Sequence, residues 1–261
     1  MKIDDGIVRS YLAGRPHLEY SNHWVYHSVI DGKYMFAEPP ASRLDDVNYC
    51  YRQFLKICSN FTVRNADLTR EIFGDAVAAM RDVQILLTVG IPQPYDAMMR
   101  IHESQQYAIF DIGNFCDYLA DGDDINDTIS NILTHELIHL FINEKYPGEN
   151  FFYAEKLDYI AFHEGFAHLL SYKEDIAQYQ PDETYKDRYE TARIKLIAAL
   201  DETDLRAQKQ FLREANSGAY CDKFAAISSM LYLMKHIDCL KQIYEVGYRG
   251  FAGMVADYSW S

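Results

Sequence analysis

The chain is 261 residues long, 49% apolar and 25% charged, the make-up of a soluble globular protein with room for one large or two small domains. A formal charge of −14 and a pI of about 5.0 argue against nucleic-acid binding, which needs a basic face, and against anionic membranes. No apolar run is long enough to cross a bilayer, Met1-Lys2-Ile3-Asp4-Asp5 does not open a secretory leader, and Cys50, Cys58, Cys116, Cys221 and Cys239 form no C-x-x-C, so a cytoplasmic protein with reduced thiols is expected.

In chain order, Trp24 to Ile30, the turn Asp31-Gly32 and Lys33 to Ala37 predict a β-hairpin. His17, His23 and His27 share no helix face, so ordinary strand and loop roles are expected of them. Helical periodicity runs from Asp45 to Cys58 and, less cleanly, from Ala66 to Met80. Val83 to Val89, Met98 to Glu103 and Gln106 to Phe115 predict three strands. The acidic stretch Asp121 to Asp127 lacks the spacing of a calcium loop, and it predicts a solvated loop with a helix cap at Asp124, Asn126 or Asp127.

The next helix carries His135-Glu136-Leu137-Ile138-His139 among Ile125, Ile129, Ile132, Leu133, Leu140 and Phe141, and Pro147-Gly148 stops it. Residues four apart lie on one helix face, so His135 and His139 can point two imidazoles at one metal ion. Glu136 sits about 100° round the helix from His135, placed to reach a water rather than to be a ligand. A catalytic zinc needs three protein ligands and an open position, so one more ligand is required.

From Glu149 onward the pattern is helical. Phe151 to Phe162 leads into a helix that carries Phe162-His163-Glu164-Gly165-Phe166-Ala167-His168 and runs on to about Lys173. Glu183 to Leu200, Leu205 to Ala215, the apolar stretch Ala219 to Ile237, Cys239 to Gly247 and Phe251 to Tyr258 follow.

H-E-x-x-H followed 25 residues later by Glu164-Gly165-Phe166-Ala167 resembles the gluzincins, the thermolysin-like clan of zinc peptidases. The resemblance covers residues 135–168 and implies a zinc site of His135, His139 and Glu164, with His163 and His168 as rivals for the third place. In that clan the position of His168 holds an acidic residue that steadies the first zinc histidine; a histidine there departs from the pattern, and it reads equally as an orienting partner or a packed core residue. A metzincin would need a histidine where Lys145 stands, and Cys116 lies in no deformylase motif.

The resemblance further implies an α+β, zincin-like catalytic unit. Residues 1–148 would form a mixed lobe with a twisted sheet, and residues 149–261 a helical lobe carrying the glutamate. Tyr107 to Phe115 would be an edge strand that receives a peptide or protein substrate. A zinc-bound water would be the nucleophile and Glu136 its general base. A tyrosine from the helical lobe would steady the oxyanion: Tyr220 is the first choice among 21 tyrosines, ahead of Tyr232, Tyr172 and His236. A binding or regulatory protein with a structural metal, and a hydrolase of a non-peptide substrate, are the alternatives.

Overall fold

A computed structural model describes all residues except 31, 75–82, 149–150, 174, 177–181, 217–222 and 261. The fold is α+β, with a mixed four-stranded sheet and helices in the N-terminal part and a largely helical C-terminal part. Two compact units are distinguished: Met1–Val63 with Ala78–Leu137, and Arg64–Val77 with Ile138–Ser261.

In the first unit, strands β1 (Lys2–Asp4), β2 (Gln84–Thr88), β3 (Ala97–His102) and β4 (Gln105–Asp111) lie in the order β1-β2-β4-β3. β2 runs parallel to β1 and β4, whereas β3 and β4 form an antiparallel hairpin. Its two-residue turn places Glu103 and Ser104 at positive φ, the twist such a hairpin needs. The inner strands read Gln-Ile-Leu-Leu-Thr and Gln-Gln-Tyr-Ala-Ile-Phe-Asp because a strand covered on both faces is apolar along its run; Ile85, Leu86, Leu87, Ala108, Ile109 and Phe110 are all buried. Helix α1 (Gly6–Leu12) packs on β2, and α2 (Leu44–Ser59) sends Phe54 against Phe110 and Phe115.

Two sequence expectations fail here. Trp24 to Ala37 is not a hairpin: Trp24–His27 is a 3-10 turn started by His23, whose Nδ1 accepts from Val25 N, and pairing is reduced to one bridge between Ile30 and Lys33. The expected edge strand Tyr107 to Phe115 is internal, between β2 and β3, and ends at Asp111. Asp111 Oδ1 accepts from Asn114 N at 3.1 Å and starts helix α4 (Ile112–Ala120), so Phe115 is helical. An N-cap aspartate cut the strand short. The edge beyond β4 is held by β3.

His17, His23 and His27 have the ordinary roles expected of them. His17 faces Glu38 at 3.3 Å, His23 caps its turn, and His27 lies on Tyr34.

In the second unit, helix α3 (Ala66–Phe73) is preceded by Asn65, whose amide donates to Leu170 O and Tyr172 O. Helix α6 (Tyr153–Leu170) packs along α9 (Phe224–Lys235), which also meets α7 (Glu183–Leu200). Helices α8 (Leu205–Glu214), α10 (Leu240–Val246) and α11 (Phe251–Asp257) complete it. Asp182 and Asp204 cap α7 and α8 through their Oδ1 atoms. Asp158, on α6, accepts from Gly250 N and Ala252 N and so ties the start of α11 to α6.

No helix among the described residues is long and apolar enough to cross a membrane. The four described cysteines, Cys50, Cys58, Cys116 and Cys239, are free thiols.

Candidate metal centre

The donors come from two helices. Helix α5 (Ile125–Lys145) starts at Asp124, whose Oδ1 accepts from Asn126 N at 2.9 Å and Asp127 N at 3.3 Å, and ends just before Pro147-Gly148. Ile125, Ile129, Leu133, Leu137 and Phe141 make one buried stripe. In its second half the helix is buried almost all round, since Thr134, Ile138 and Ile142 are also fully buried on other faces. The boundary between the two compact units falls inside this continuous helix, after Leu137.

Between Leu133 and Ile142, every residue but His135 and His139 is buried, and those two are half-buried. Between Ala161 and Leu170 on α6, the same is true only of Glu164 and His168. Each pair is four residues apart, one turn of helix, so each helix keeps one small stretch of one face accessible. Those two stretches carry three imidazoles and a carboxylate.

Ligand atoms of His135, Glu164 and His168 lie within 4.8 Å of one another and can hold a metal ion. His139 Nε2 is 3.7 Å from Glu164 Oε1, and His168 Nε2 is 3.5 Å from Glu164 Oε2. Glu164 is therefore the hub, with one oxygen toward each histidine. The side chains of His139, Glu164 and His168 are 13%, 15% and 11% exposed. Donors held to zinc by bonds of about 2.0–2.2 Å in a tetrahedron stand about 3.4 Å apart; the two separations at Glu164 are near that edge, and imidazole nitrogens with carboxylate oxygens are donor types zinc takes.

The electrostatics suit metal binding as well. Burial lowers the pKa of His139, against the raising influence of Glu164, and a smaller lowering comes from Lys223. Burial, then Lys223, then His139 pull His168 down to about 3. A ligating imidazole must be neutral, so both rings are ready at neutral pH. Lys223 lies just before the first residue of α9, and its cationic charge reaches both rings. The sequence gives no hint of it, because a lysine before an apolar helix reads as an ordinary surface residue.

The remaining expected residues divide clearly. Glu136, beside His135, is 7% exposed. His163 is not with the donors' half-buried faces: it is 4% exposed, its ring lies tilted against Tyr159 at 3.9 Å and stacks on His139 at 5.7 Å, and burial holds its pKa well below the ordinary value. It backs His139 as packing. Tyr220 lies outside the described residues. Tyr232 is packed against His236, Phe251 and Tyr258, while His236 Nδ1 is bonded to Tyr232 O at 2.7 Å. The Tyr172 and Tyr185 hydroxyls bond each other.

No protein-family model, no curated protein and no solved structure matches this chain.

Proposed function

We propose that the chain is a zinc-dependent hydrolase of the metallopeptidase type, with peptide bonds as its substrate class. The observation that carries this reading is the pair of helix faces just described. Two helices bury nearly everything along ten residues each, yet both leave partly exposed histidines and a glutamate, side chains of the types zinc takes. A histidine pair that was incidental would have no reason to meet a carboxylate from a later helix.

His135 and Glu164, with His139 beside Glu164, would hold the ion. When bound, zinc supplies a Lewis acid that acidifies water and polarises a carbonyl. Glu136, the carboxylate adjacent to His135 in the sequence, takes the proton of the attacking water and returns it to the leaving amine. Its burial favours a carboxylate that exchanges protons with the substrate rather than with bulk solvent. A purely structural site needs ligands alone, so a glutamate in this place favours catalysis over a metal clip. Tyr220 remains the first candidate for steadying the oxyanion.

The test compares wild type and Glu136→Gln for zinc content and for cleavage of a broad peptide library. The expected outcome is unchanged zinc in both and a rate loss of about 10²–10⁴-fold in the variant. Equal cleavage by both would remove Glu136 from the chemistry. Zinc retained with no cleavage by either would favour a second reading, a binding protein with a structural metal, which the presence of His168 beside Glu164 also suits.

A further inference from the structure

We infer that His168 is a fourth metal ligand, so that the resting site is built of three imidazoles and one carboxylate. This rests on the metal-binding reading above. In the peptidases that the motifs resemble, the position holds an acidic residue outside the ligand set, so the inference is particular to this chain.

The geometry around Glu164 carries it. His139 approaches one carboxylate oxygen at 3.7 Å and His168 approaches the other at 3.5 Å. A hydrogen bond between such groups spans about 2.7–3.2 Å, so neither separation is one. Both are near the edge of about 3.4 Å between donors sharing a tetrahedral zinc. Ligand atoms of His168, Glu164 and His135 also lie within 4.8 Å of one another. His168 shares its degree of exposure with His139 and Glu164, whereas its neighbours Ala167 and Leu169 are fully buried.

Four protein donors are the count of a closed site, and a catalytic site keeps one position open. With His168 bound the resting site is closed, so catalysis requires that one donor leave the ion or that the coordination expand to five.

The experiment counts ligands directly. Wild-type protein labelled with 15N-histidine is loaded with 113Cd, and ring nitrogens that show one-bond splitting to cadmium are counted by NMR. Three split histidines are expected, and two would overturn the inference while leaving the metal reading intact. Absence of bound cadmium and zinc would overturn both. His168→Gln then removes one split signal and weakens zinc binding by more than about 100-fold, beyond what loss of an outer partner costs. His168→Asp, with an acidic side chain at that position, restores part of the affinity but not the third signal. An unchanged count of three in either variant would also overturn the assignment.

Discussion

Asp111 is the most deeply committed carboxyl group of the first unit. It is 1% exposed, it caps α4, and it accepts from Ile91 N at 2.7 Å and the Thr88 hydroxyl at 3.1 Å. Burial nonetheless dominates these bonds and raises its pKa to about 6. A pKa raised on folding means that the folded state holds the proton more tightly. The resulting stabilisation is complete below the unfolded value of 3.8 and is lost as pH rises through about 6. That difference corresponds to roughly 2–3 kcal/mol. Asp111→Asn keeps an oxygen for the cap and cannot ionise. Urea unfolding is expected to show wild type losing about that much relative to the variant between pH 3.5 and pH 7.5, and parallel profiles would contradict it. At the same scale, helical spacing and the second motif single out His135 and Glu164, but the group that can hold an ion joins them to His168 rather than to the expected His139, which stands 3.7 Å from Glu164. Spacing puts His168 on Glu164's face, but it does not decide among rival ligand, orienting partner and packed core residue, because it fixes no distances between helices. Lys223 was invisible, since only the folded chain brings its charge near the rings.

Helix α6 places Glu164 by lying very close to α9. A Cβ added at Gly165 would sit 2.7 Å from Ser229 Cβ and 3.3 Å from both the Ser229 backbone and Leu233 Cδ1. Small residues at the crossing allow this approach: Gly165 faces Ser229, and Ser228 folds its hydroxyl back onto Phe224 O. On an open helix, Gly→Ala would gain about 1 kcal/mol. Here the contact is with a neighbouring helix backbone rather than with a mobile chain end, so overpacking of about 1–3 kcal/mol wins. Gly165→Ala is expected to lower unfolding stability and to weaken zinc binding, since the glutamate is the next residue. A variant of wild-type stability and affinity would show that α6 is not held so tightly. The helices were readable at this scale because long apolar periodicity has few alternatives: α2, α7 and α8 lie within a residue or so of their expected ends. The N-terminal aromatic stretch misled. Its Val and Tyr residues are strand formers, but Tyr26 buries its ring and gives its hydroxyl to Val89 O at 2.8 Å from within a 3-10 turn. Tertiary packing overrode propensity there. At three residues, β1 is too short to leave a periodic signal.

Across the molecule, an acidic chain with no membrane-crossing helix among its described residues carries its candidate metal donors on two helices, α5 and α6. A ligand that binds only the folded chain stabilises it, by about 2.7 kcal/mol at a concentration 100 times its Kd. Zinc is therefore expected to raise the unfolding temperature and chelation to lower it, and a chelator-treated protein that unfolds at the same temperature would speak against a tight site. The most direct measurement is isothermal titration of the metal-stripped chain with zinc, run beside His135→Ala and Glu164→Ala. The account predicts one zinc per wild-type chain, with binding abolished or weakened by several orders of magnitude in both variants. A wild-type chain that takes up no zinc, or a Glu164→Ala chain that binds it as tightly as wild type, would contradict the claim that the two helices converge on one ion.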